Sequence, residues 1–295
     1  RNGAVVSPTV VGAAILQATS TLRFGTAVLA APLHHPLRIA EDALMLDWLS
    51  SGRFILGLGA GHQIADFLAY GVEHGTRTQQ LEEILHILGL CFLGEPFSHD
   101  GDFFQISAQI TPRPYSEPRP PIWLGGHGNA GIDRAARFGD LWLADPQRHV
   151  EVVAGLAENY RKRCQVHGTS AAVGMFREAW ITNGNESATA EWAESVVAVH
   201  RLYYNVGAYH PQFEPWAADS LPRSEVNFDL LSPGRFLVGD GEQLRHTVNQ
   251  WRDLTGVQYL ALRFRHPKGP SHEATCEALC RFGEEVISTT SGSGR

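Results

Sequence analysis

HHPLRIAEDALMLDWLSSGRFILGLGAGH, residues 34–62, runs a helix, a strand and a set of alternate glycines together. Pro36 stands where the first residue of a helix belongs, because the N–H it lacks has no helical partner there in any case. Leu37, Ala40, Leu44 and Trp48 follow at helical spacing, and Gly52 suits the position just past the helix end. Residues 53–59, RFILGLG, read as a buried strand, with Gly57, Gly59 and Gly61 at its carboxyl end. A dinucleotide fold needs GxGxxG, then a helix, then an acidic residue about 20 positions on at the end of the next strand. Here His62 occupies the third glycine's place, QIADFLAYG is short for the required helix, and no new strand begins until about residue 121. The pattern fits better the carboxyl end of a parallel-barrel strand, where glycine lets a ligand lie against the backbone.

Working outward, short apolar runs alternate with longer helical patterns. Strands are expected at 22–30, 53–59, 121–126, 141–144, 174–182 and 257–264. Between them, Thr76 and Gln79 fit a capping box ahead of the stripe Leu81, Ile84, Leu85, Leu88 and Cys91. A short helix is expected over 129–139 and a long one from Val150 to Cys164. Helical spacing also marks Leu244, Val248, Trp251 and Leu254, and again Leu279, Phe282 and Val286. Repeated strand–helix units imply a parallel sheet in an α/β fold. Residues 184–235 interrupt the rhythm with one helix and a loop rich in aromatic residues, the make-up of a lid or a binding loop, or of a surface excursion whose aromatics pack on the barrel. Residues 1–288 read as one domain and 289–295 as a disordered tail.

With 43% hydrophobic and 19% charged residues in 295, the chain has material for a large core and is not of the disordered class. A net charge of -7, with no basic run interleaved with aromatics, argues against a nucleic-acid partner. No apolar stretch approaches the ~20 residues of a membrane helix. The cysteines, Cys91, Cys164, Cys276 and Cys280, form no CxxC pair, which suits a reducing, cytoplasmic setting. His34-His35 is a bare pair and HExxH is missing, so no metal site is expected.

The ordered motifs resemble the luciferase-like monooxygenases, the bacterial luciferase superfamily. They are Gly25-Thr26-Ala27-Val28, His35-Pro36, Ala40-Glu41, Leu46-Asp47, Ser50, Gly52-Arg53-Phe54, Gly71-Val72, Arg77, PPIWLGG, AARFGD and FLVGDGEQL, in that order, over roughly residues 8–288. The resemblance implies a (β/α)8 TIM-type barrel that binds a flavin at its carboxyl face. It implies reduced FMN with molecular oxygen acting on a small organic substrate, a separate flavin reductase as partner, and a homodimer. Deazaflavin-dependent hydride transfer is the alternative within the family, and a non-catalytic flavin-binding protein the alternative outside enzymes. The family barrel has eight strands where this chain supplies six, and PTVVGAAILQATS (8–20) resembles the helix after the second strand. The resemblance places the first two strands, and the family's catalytic His pair, upstream of Arg1 if this chain is a fragment; the alternative is a naturally trimmed barrel.

Site residues follow from the same resemblance. Gly125, Gly126, His127, Gly128 and Asn129 match the family's flavin-phosphate loop, and free N–H groups at a helix start suit a phosphate. Their other reading is a tight turn with an Asn cap. Arg77 resembles an arginine brought to that phosphate, or is a solvated first-turn residue. Ala27-Val28 matches a non-prolyl cis peptide against the flavin ring, and Gly59 lies at the neighbouring strand end. His35 is the catalytic candidate within this chain, or the neighbour of a helix cap. Asp47 and Arg53 are read as holding helix to strand.

Overall fold

The computed structural model describes residues 7–126, 128–182, 184–219 and 221–288. The chain divides into two compact units, one of Arg1–Trp142 with Arg163–Ala171, the other of Leu143–Lys162 with Ala172–Arg295.

The first unit opens with α1 (Pro8–Ala18), followed by two two-residue strands, β1 (Phe24–Gly25) and β2 (Leu29–Ala30). The single strand expected over 22–30 is thus broken, and a cis peptide joins Ala27 to Val28 within the break. Helix α2 (Pro36–Ser50) starts as its sequence requires: Pro36 is its first residue and the His35 side chain accepts from the Leu37 N–H. It ends on Ser51 in the left-handed region. Strand β3 (Phe54–Gly59) pairs in parallel with both β1 and β2 on one side. Then come α3 (Ile64–Tyr70) and α4 (Arg77–Phe92). The capping box read at Thr76 does not form, since the Thr76 hydroxyl donates to the Glu73 carbonyl instead.

An unexpected antiparallel hairpin follows, β4 (Phe97–Asp100) with β5 (Gln105–Ala108). Its strands are short and half polar, so periodicity gave no signal. What fixes it is long-range: the Glu83 carboxylate of α4 accepts from the Phe103 and Phe104 N–H groups and bonds His99. Strand β6 (Ile122–Gly125) pairs in parallel with β3 and leads into α5 (Asn129–Phe138). Asp47 and Arg53 are both structural, but only Arg53, next to β3, ties helix to strand as read; Asp47 ties α2 to the segment at 115–116. Buried Asp47 accepts from the Tyr115 and Ser116 N–H groups, and Arg53 donates to the carbonyls of Leu16, Leu22 and Ser50.

Strand β7 (Leu141–Ala144) spans the boundary between the units, followed by α6 (Val150–His167). The second unit is built on β8 (Ala172–Ile181), buried over nearly its whole length as a central parallel strand must be. After α7 (Glu186–Asn205) and the short α8 (Phe228–Leu231) comes β9 (Phe236–Gly239), which the strand count missed. Helix α9 (Gly241–Thr255), β10 (Tyr259–Arg263) and α10 (His272–Phe282) complete it, with β9 and β10 both parallel to β8. The capping box belongs to α9, where Asp240 and Gln243 satisfy each other's backbone N–H groups.

The aromatics of 184–235 pack inside this unit. Trp192 stacks on Trp180 and meets Phe236, while Tyr204 and Tyr209 flank Trp216. Trp192 and Tyr209 are buried, so these two are core residues of the second unit and do not belong to an open lid. The tail at 289–295 lies outside the described residues.

Candidate functional site

The glycines at the end of β3 serve close backbone approach. The Thr26 hydroxyl accepts from the Gly57 N–H at 2.9 Å and donates to the Gly57 carbonyl at 2.7 Å. A Cβ on Gly57 would overlap the Thr26 carbonyl oxygen. A Cβ on Gly59 would stand 2.6 Å from Val28 Cγ2, and one on Gly125, at the end of β6, 3.7 Å from both Val28 methyls. Gly61 takes φ +74, the left-handed region that favours glycine. Adjacent parallel strands therefore end on a floor where Val28, 40% exposed, seats its methyls in the space that side chains on Gly59 and Gly125 would take.

From that floor the chain continues through Gly126, whose carbonyl accepts from Trp142 Nε1 at 2.6 Å. Gly126 and Gly131 pack so closely that a Cβ on Gly126 would lie 3.1 Å from Gly131 Cα. His127 lies outside the described residues. Gly128 is the N-cap of α5 and Asn129 its first residue. A Cβ on Gly128 would meet nothing within 4 Å, and the first turn of α5 carries no acidic residue and no side-chain cap. The first turn of α5 thus offers backbone N–H groups and no acidic side chain of its own, which suits an anion.

Of the residues read from the sequence, Val28, Gly59 and Gly125 come together, with Ala27 beside them and Gly126, Gly128 and Asn129 next along the chain. Two stand apart. Arg77 turns back to donate to the His74 carbonyl at 3.0 Å. His35 is exposed, accepts from Leu37, and sets its ring edge-on to Phe104 at 5.6 Å. A cavity of about 90 Å³ beside Thr26, His34, Asp42 and Leu56 falls well short of the ~300 Å³ of ligand pockets.

Sequence reading missed a buried polar network in the second unit. Glu178, fully buried on β8, bonds His266 at 2.7 Å and His200 at 3.3 Å, and pairs with Arg263 of β10. Burial pushes the Glu178 carboxyl up, but the bonds from His200, His266 and Arg263 outweigh it and hold it well below the usual carboxylate range. Burial lowers His200, with Glu178 opposing, and burial raises Tyr209. The consistent assignment is a neutral His200 that donates from Nε2 to Glu178 and accepts the Tyr209 hydroxyl at Nδ1. The one available signal was an Arg177-Glu178 pair inside an otherwise apolar strand.

The luciferase-like monooxygenase family model matches residues 1–258. Among curated relatives, the oxygenase component of the flavin-dependent trigonelline monooxygenase of Acinetobacter baylyi is 30% identical over 226 residues, 73% of this chain and 57% of the relative. The chain spans 39% and 36% of the length of two further curated relatives. Among solved structures, the oxygenating constituent of 3,6-diketocamphane monooxygenase of Pseudomonas putida, in complex with FMN, matches with TM-score 0.76 at 16% identity, over 96% of this chain and 83% of that one. An F420-dependent secondary alcohol dehydrogenase matches with TM-score 0.79 at 15% identity, over 97% and 85%. These likenesses give the fold class, α/β of the TIM-barrel type.

Proposed function

We propose, from the premise that this chain belongs to the luciferase-like monooxygenase family, that it binds reduced FMN and uses molecular oxygen to oxidise a small organic substrate. The observation that carries this reading is the strand-end floor, where Val28 sits over Gly59 and Gly125, continued into a helix start at Gly128 and Asn129 that has no side-chain cap. A planar ring system fits against the exposed face of Val28, which the missing side chains of Gly59 and Gly125 let settle close to the strands. A phosphate fits the start of α5, whose first turn offers N–H groups, open space and no acid. Ala27 and Val28 would lie against the ring, and Gly126 to Asn129 would hold the phosphate. When bound, the flavin supplies the redox chemistry, and this chain's residues position it and keep water from it.

The relative named as an oxygenase component supports a separate reductase as partner. The F420-dependent neighbour keeps deazaflavin-dependent hydride transfer as the second reading. Assembly as a homodimer in a reducing, cytoplasmic setting completes the proposal; all four cysteines are free thiols, and no described helix is long and apolar enough to cross a membrane. The test is anaerobic titration with FMN, reduced FMN and the deazaflavin coenzyme, followed by absorbance and fluorescence. Reduced FMN is expected to bind below about 100 μM, at least tenfold tighter than the deazaflavin, where each tenfold is about 1.4 kcal/mol. The reverse order selects the second reading, and no binding of any of the three refutes both.

A further inference from the structure

The second unit sets four guanidiniums, of Arg148, Arg177, Arg235 and Arg263, among three carboxylates, of Asp145, Glu178 and Glu214. Two of the four are well matched. Arg235 spends its N–H groups on Glu214 and on the carbonyls of Gln147, Leu231 and Pro233, and Arg263 pairs with Glu178. Arg177 donates to the Asp145 and Phe176 carbonyls and faces Trp251, but its Nε has no acceptor among the described residues.

Arg148 is the least satisfied. It is 1% exposed, and neither Nε nor Nη1 has an acceptor among the described residues. The carboxylate paired with it, Asp145, stands 3.9 Å from Nε, beyond hydrogen-bond reach. Its guanidinium lies over the ring of Phe213, 4.9 Å from the centroid. A cation–π contact is worth about 1–2 kcal/mol, whereas taking a charged group out of water costs several and is recovered only when its N–H groups find acceptors. The local charge balance points the same way. Burial brings Arg177 down to about 10, with Asp145 opposing and Arg235 adding to the fall. Burial lowers His149 as well, again with Arg235 adding. The cluster is short of one negative charge, and Arg148 is where the missing acceptors belong. Phe213, half-buried in the turn at 210–214, covers that position with one side chain.

We propose that Arg148 anchors an oxyanion-binding site in the second unit, taking the carboxylate or phosphate of a small ligand beneath the Phe213 ring. The ligand is distinct from the flavin, and the site stands on residues of the second unit alone.

Calorimetric titration of the full chain with sodium benzoate, and separately with inorganic phosphate, tests this against sodium chloride at matched ionic strength. Wild type is expected to bind at least one of the two oxyanions saturably and chloride not at all. Arg148→Met is expected to weaken that binding at least about tenfold. Should Arg148→Met fail to fold, Arg148→Lys keeps the charge with fewer donors and is expected to weaken binding about three- to tenfold. FMN affinity, measured on the same variant, is expected to change by less than about threefold, since the two ligands are held by different residues. The proposal is overturned if wild type binds neither oxyanion up to about 50 mM, a weaker affinity than any worth calling a site. Equal oxyanion binding in the variant overturns it too, as does a parallel tenfold loss of FMN affinity.

Discussion

Gly57→Ala is expected to destabilise the first unit by about 3 kcal/mol or more, at or beyond the upper end of ordinary overpacking. The added methyl has nowhere to go: it would overlap the Thr26 carbonyl oxygen, which is backbone and cannot rotate away. Relief requires β1 and β3 to separate, which also breaks the two bonds of the Thr26 hydroxyl to Gly57. Urea unfolding followed by circular dichroism measures the loss. Gly89→Ala is the control, on an exposed face of α4 where a Cβ meets nothing within 4 Å. It should be stabilising by up to about 1 kcal/mol, since alanine replaces glycine in a helix interior. A Gly57→Ala protein as stable as wild type would show that the strand ends are not packed as described.

Glu178→Gln is the second large effect, about 3 to 5 kcal/mol of lost stability, because it leaves Arg263 without its buried counter-charge and disrupts two histidine bonds. The same network gives a signed pH dependence. His200 has its folded pKa lowered by burial, so the stability of its neutral form is present above the unfolded value of about 6.5 and fades as pH falls below it. Glu178 has its folded pKa lowered by its partners, so its contribution is present above about 4.3 and is lost as pH falls further. Wild type should therefore weaken in two stages from about pH 6.5 downward. Glu178→Gln should lack the steeper stage below about pH 5. An acid limb of equal steepness in both proteins would contradict the assignment.

Much of the first unit was legible because its signals are local. Pro36 and the apolar spacing located α2, and the alternate glycines located the carboxyl end of β3. The absence of a third glycine and of a following acidic strand end sufficed to reject a dinucleotide fold. The break at Ala27-Val28 came only with the family resemblance, since neither residue carries a turn signal. The hairpin of β4 and β5 was illegible because a carboxylate from another helix, Glu83, holds it. The network around Glu178 was illegible for the same reason. Its members lie as far apart as Glu178 and His266 in sequence, and each taken alone is an ordinary surface residue type. The aromatics of 184–235 left two readings open, a cover and an excursion packed on the barrel. Trp192, on the helix read there, and Tyr209, in the loop, form core with Trp180 and His200, pairings that only the folded chain brings together.

The central claim is that a flavin phosphate rests on the start of α5, and Gly128 offers the most direct way to test it. Gly128→Asp puts a carboxylate at the N-cap, where Asp is a favoured capping residue and a Cβ has open space, so the fold is retained. The same carboxylate repels a phosphate at that position. The deciding measurement is the affinity of wild type and Gly128→Asp for FMN and for riboflavin, which lacks the phosphate. Wild type should prefer FMN by at least about tenfold, and the variant should lose that preference while its riboflavin affinity changes by less than about threefold. An FMN affinity that Gly128→Asp leaves unchanged would contradict the placement, and a wild-type protein that binds neither flavin would contradict the function.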